Sequence, residues 1–71
     1  MSLTIKQVNK MLASKSTYQI QKAGVGDYAY FYVTGGDAAN WKESAILVNR
    51  VGDLTLEQWE AEVFGKMRKH L

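Results

Sequence analysis

Apolar residues recur at Leu56, Trp59, Val63, Phe64, Met67 and Leu71. At roughly 100° per residue they gather on one side, which predicts an amphipathic helix over 54–71. The start of that helix is written in the residues around it. Thr55 serves as N-cap, Gln58 completes a capping box, and Leu54 with Trp59 forms a hydrophobic staple. Trp59 and Phe64 are the largest apolar groups on the stripe, so the rest of the chain is expected to fold against them. The same device opens the sequence: Leu3-Thr4-Ile5-Lys6-Gln7-Val8 repeats cap, box and staple. Ile5, Val8, Met11 and Leu12 form a second stripe, which should end near Ser14 and Ser16, where hydroxyl side chains compete for backbone groups.

From Thr17 the period changes to two. Tyr18 and Ile20 alternate with Gln19 and Gln21, the pattern of a half-buried strand. Gly24-Val25-Gly26-Asp27 is turn chemistry, with two glycines free to take positive φ. Residues 28–34 are aromatic, β-branched or alanine and give the strongest strand signal in the chain. A longer connection over 35–43 contains Trp41. A third strand is expected over 44–51, and Gly52-Asp53 turns the chain into the closing helix. The order α-β-β-β-α predicts an α+β fold: a three-stranded antiparallel sheet with two helices packed on one face. In the central strand Ala29, Phe31 and Val33 should face the helices, leaving Tyr28, Tyr30 and Tyr32 as a row on the open face.

Length and composition narrow the picture. Seventy-one residues make one domain, 1–71, near the lower size at which a single core suffices. There is no cysteine to staple it. An apolar fraction of 46% with 23% charged residues is that of a globular domain rather than a disordered chain. No apolar run approaches the ~20 residues of a membrane span, and no signal-peptide pattern precedes the first cap, so a cytoplasmic protein without membrane contact is expected. The net charge of +2 does not by itself argue for nucleic acid.

The catalytic inventory is thin. The one histidine, His70, sits at the penultimate position, where fraying is expected. There is no cysteine nucleophile, no serine with a supported histidine and no metal-ligand spacing, so neither an enzyme nor a cofactor is expected. Gly24-Val25-Gly26 lacks the lysine and strand-to-helix context of a phosphate loop. Gly35-Gly36-Asp37 resembles the signature turn of diguanylate cyclases, but the chain is far too short for that fold.

Binding is the remaining class. The tyrosine row reads either as a shield on a wet sheet or as an aromatic platform. Trp41 reads either as a plug at the edge of the core or as an exposed anchor. Lys6, Lys10, Lys15 and Lys22 form either a solvated face or a basic patch. In the closing helix, Glu62 and Lys66 are spaced as a favourable i, i+4 pair. Glu60 falls near the middle of the apolar stripe, so it must reach past the core edge or meet a lysine or tyrosine. Gly65 lies outward, where it costs about 1 kcal/mol against alanine.

The α-β-β-β-α order resembles that of the double-stranded-RNA-binding domain. That family grips phosphates with a lysine-rich start of its second helix. Here the matching positions hold Glu57, Gln58 and Glu60. The run YAYFYV (28–33), the Trp41 loop, the apolar strand and VGDLTLEQW (51–59) together resemble small bacteriophage and prophage accessory proteins. This likeness implies a partner among host or defence proteins. The expected function is therefore a small binding module acting by protein–protein contact through Tyr28, Tyr30, Tyr32 and Trp41. The alternatives are a nucleic-acid binder using the lysines and a self-associating structural protein.

Overall fold

The computed structural model describes residues 3–70 and shows the expected α-β-β-β-α order. Helix α1 (Ile5–Ala13) and helix α2 (Leu56–Lys69) flank strands β1 (Gln19–Ala23), β2 (Tyr30–Thr34) and β3 (Ala45–Ile46). Leu71, expected on the stripe of α2, lies outside the described residues. Both helices start on complete capping boxes. Thr4 Oγ1 accepts from the Gln7 N–H at 3.2 Å while Gln7 Oε1 accepts from the Thr4 N–H at 2.8 Å. Thr55 and Gln58 repeat this at 3.1 and 2.9 Å. Two of the four orphan donors at each helix start are thereby satisfied locally.

The strands form one antiparallel meander in the order β1-β2-β3. Ile20 lies opposite Val33, and Phe31 opposite Ile46, and these four are buried. They meet Val8 and Leu12 of α1 and Trp59 and Val63 of α2 in one core. Phe31 packs edge-on against Trp59 with ring centroids 5.2 Å apart, the offset geometry that aromatic quadrupoles favour. The Trp59 indole N–H donates to the Val51 carbonyl at 2.8 Å, so the largest core residue leaves no buried donor unpaired.

Two strands are shorter than the residue pattern predicts. β2 starts at Tyr30 because residues 26–28 wind into a 3₁₀ turn, with Tyr28 N–H bonded to Val25 O and Ala29 N–H to Gly26 O. Gly24 and Gly26 have φ of +76° and +56°, and a Cβ on Gly24 would lie 2.5 Å from the Tyr28 carbonyl oxygen. The glycines that make this turn possible take Tyr28 out of the sheet. β3 keeps two residues of the eight expected. Beyond Ile46 the Val48 N–H folds back on the Ile46 carbonyl at 3.0 Å, and residues 51–53 form another 3₁₀ turn closed by Arg50 and Asp53. Apolar character over 45–48 brought neither extended pairing nor uniform burial: Ile46 is buried, while Leu47 is 83% exposed.

The outer edge of β1 is closed from within the chain. Strand alternation turns the Ile20 backbone away from β2, and the Asn9 side chain meets it there. Asn9 Oδ1 accepts from the Ile20 N–H at 2.7 Å, and its Nδ2 donates to the Ile20 carbonyl at 3.1 Å. One amide side chain thus stands in for a fourth strand and blocks edge-to-edge pairing.

Candidate functional site

The face of the sheet turned away from the helices is open. Register places Gln19 opposite Thr34, Gln21 opposite Tyr32, Ala23 opposite Tyr30, and Tyr32 opposite Ala45 on that side. Tyr30 is 37% exposed; Tyr32 is half-buried and donates from its hydroxyl to Gln21 Oε1 at 3.0 Å. Just past the end of β3, Leu47 is 83% exposed. A groove of about 560 Å³ runs between Tyr30, Tyr32, Ala45 and the adjoining Lys42 and Glu43. None of the strand residues on this side is charged, in a chain with nine basic and seven acidic residues.

The four aromatic residues expected to bind a partner are not gathered in one row. Tyr30 and Tyr32 share the open face as expected. Tyr28 is displaced into the hairpin turn, where its ring is exposed beside Val25. Trp41 is not an exposed anchor: it is 91% removed from solvent and belongs to the core. It plugs the core's end because the preceding 3₁₀ turn, Ala38–Asn40, aims it back under the sheet, where it meets Tyr18 at 5.2 Å between ring centroids.

Around Trp41 stands a polar cluster. The Tyr18 hydroxyl donates to the Asp37 carboxylate, and the His70 ring stacks on the Trp41 indole at 5.3 Å with 9° between planes. His70 Nδ1 lies 2.8 Å from the Lys66 carbonyl oxygen, which closes the last turn of α2. The Tyr18 hydrogen bond holds the Asp37 carboxyl below the usual carboxylate range against the opposing effect of burial; its own backbone N–H and the nearby Trp41 and His70 add to the lowering. The same hydrogen bond pushes the Tyr18 phenol up, helped by burial and by the Asp37 charge. The Trp41 N–H lies near Asp37 but outside hydrogen-bonding geometry, and it is buried without a partner. The turn that delivers Asp37 requires Gly35: its φ is +86°, and a Cβ there would lie 2.1 Å from the Thr17 carbonyl oxygen. Among the described residues no group of three His, Asp or Glu side chains could hold a metal ion. The cluster works as a latch, holding the 35–41 loop and the end of α2 onto β1.

Of the four lysines read as a possible patch, one is drawn into an ion pair with α2. Lys15 Nζ lies 2.5 Å from Glu60 Oε1, which answers how an acid sits on the apolar stripe of α2. Lys6, Lys10 and Lys22 are exposed. Lys66 approaches Glu43 at 3.9 Å rather than Glu62. Gly65 faces open space. No helix among the described residues is long and apolar enough to cross a membrane.

Two contributors carry signals that periodicity reveals. Asn9 occupies the i+4 slot of the stripe formed by Ile5, Val8 and Leu12, so a polar group there needs a partner. His70 falls seven residues after Val63, on the buried side of α2, which makes it a packed residue rather than a frayed end. No family model, curated protein or solved structure matches the chain.

Proposed function

We propose that this chain is a small non-catalytic binding module that acts by protein–protein contact, and that the contact surface is the open sheet face. The observation that carries this reading is the absence of charge among the strand residues of a face that carries Tyr30 and Tyr32. Depletion of charge with enrichment of tyrosine is the compositional mark of an interface centre. Tyrosine offers a large contact area with little side-chain entropy to lose. The remaining polar clusters serve the fold: Asn9 closes a sheet edge and Asp37 latches a loop. In the finer reading the module modulates a host or defence protein, which rests on the resemblance to phage accessory proteins.

A photoreactive phenylalanine derivative at position 30, introduced in cells that carry the native gene, tests the reading. Protein adducts at position 30, with none when the probe replaces Lys10 on the outer side of α1, are the expected result. Absence of any protein adduct at position 30 overturns it.

A further inference from the structure

We propose that the resting occupant of the open sheet face is a second copy of this chain, docked face to face about a two-fold axis. This rests on the reading of that face as a protein contact surface and names its partner. Three features favour the chain itself.

Charge comes first. A two-fold contact sets a surface against itself, so any charge near the axis meets its own like. The strand residues of this face carry none. At its rim stand Lys42 and Glu43, adjacent in sequence and of opposite sign, on the same groove as Tyr30 and Tyr32. Under a two-fold operation such a neighbouring pair can pair reciprocally, lysine to glutamate and glutamate to lysine. Glu43 is free to do so: its side chain is 63% exposed and its approach to Lys66 is a loose 3.9 Å.

The hydrogen-bonding inventory is the second feature. Gln19, Gln21, Tyr30, Tyr32 and Thr34 each both donate and accept. A face whose polar side chains are all of this kind meets its own copy without stranding donors against donors. A purely acidic or purely basic partner would find no counter-charge at the centre of this surface.

Size is the third. The molecule measures 33 × 25 × 15 Å, so its broad side is of the order of the ~800 Å² that a standard interface buries per partner. The three strands alone are narrower than that, since neighbouring strands lie only about 4.8 Å apart. The contact must therefore spread beyond the strands, and the exposed apolar groups next to them in sequence are Leu47 after β3 and Val25 and Tyr28 in the hairpin turn, at 83%, 79% and 86% exposure. Any other partner then competes with the second copy for the same surface.

Sedimentation equilibrium of the full chain across micromolar to millimolar concentration is the test, read with photo-cross-linking of the purified protein at position 30. The expected species has twice the 8.0 kDa chain mass. Tyr30→Lys should weaken the dimer at least tenfold, and Lys10→Glu should leave it unchanged. If Tyr30→Lys fails to fold by circular dichroism, Gln21→Lys, an exposed position on edge strand β1, replaces it with the same expectation. A dimer that tolerates the folded face variant uses another surface and overturns the proposal. A chain that stays monomeric at millimolar concentration, yet yields adducts to other proteins at position 30 in cells, overturns self-docking and leaves the contact-surface reading standing. A monomer without adducts overturns both.

Discussion

Strand β2 presents two surfaces built from alternate residues of the same five-residue run, and they have opposite fates. Phe31 and Val33 are 1% and 3% exposed beneath the helices, while Tyr30 and Tyr32 look outward between glutamines and threonine. On the covered side the packing is apolar, and the Trp59 indole nitrogen at its centre has its acceptor, while the Trp41 indole nitrogen at the core's end goes without one. On the open side the polar atoms bond loosely across strands or to solvent, and no element of the chain lies over them. The lesson is that one side carries stability and the other is free to carry recognition. A substitution should reveal which side it lies on by the property it changes.

The comparison breaks first at Trp59, the centre of the covered side. Trp59→Ala should destabilise the fold by about 3–5 kcal/mol, the range for deleting a buried aromatic. The change also strips the Val51 carbonyl of its donor. Urea unfolding followed by circular dichroism reads this as a lower midpoint with little change in slope. A midpoint within experimental error of wild type would mean that α2 does not anchor the core.

Asn9 sharpens the comparison at the edge of the sheet. Asn9→Ala leaves the Ile20 N–H and carbonyl without their side-chain partner in a half-buried setting. Unmet backbone groups of that kind cost about 1–3 kcal/mol. The variant should also associate through β1 edges, since the side chain that occupied the edge is gone. Urea midpoints together with light scattering of the variant give both readouts. Unaltered stability would show that water replaces the amide there.

Much of this architecture was legible in the residues, and the strands that fell short did so at turns. The caps at Thr4 and Thr55, the stripe of α1, the part of the α2 stripe from Trp59 to Met67 and the inward set Ala29, Phe31 and Val33 are local patterns, and they are observed, whereas Leu56, expected at the head of the α2 stripe, is 40% exposed. Where a local turn cuts into a strand, the residue pattern overran it. β3 shrinks to two residues because the Val48 and Arg50–Asp53 turns use the backbone that a longer strand would pair. For Trp41, which the residues left open between core plug and exposed anchor, packing against the Tyr18 and His70 rings, from segments more than twenty residues away on either side, decides for the core. Tyr28 leaves its row because glycines four and two residues earlier wind the chain before the strand begins. For the contact surface, strand alternation located Tyr30 and Tyr32; the lack of charge across the face became visible only with the register.

The latch around Asp37 responds to acid, a property the open face should lack. The Asp37 carboxyl titrates lower in the folded chain than in the unfolded one, chiefly because the Tyr18 hydroxyl donates to it. A depressed carboxylate adds stability that is present above its unfolded value of about 3.9 and lost as pH falls through the folded one. Asp37→Asn should therefore melt below wild type at pH 6, and the two curves should converge as the pH falls below about 4. Thermal melts at pH steps of one half from 6 to 2 test this. A gap independent of pH would show that the carboxylate is not what holds the loop.

The smallest expected effect on stability belongs to the middle of the open face. In Tyr30→Ser the strand keeps its backbone pairing with Ala23, and the ring that is lost covers nothing beneath the sheet. What goes is a cross-strand contact of about 0.2–1 kcal/mol. The unfolding midpoint of a dilute sample should move by little more than that. Concentration is the revealing variable, because a state that binds its own copy gains stability by mass action as the protein is concentrated. The wild-type melting temperature should rise with protein concentration and that of Tyr30→Ser should stay flat, so the two diverge only in concentrated samples. A large loss of stability in dilute solution, on the scale of Trp59→Ala, would place this ring in the core. The assignment of the two faces of β2 would then have to be exchanged.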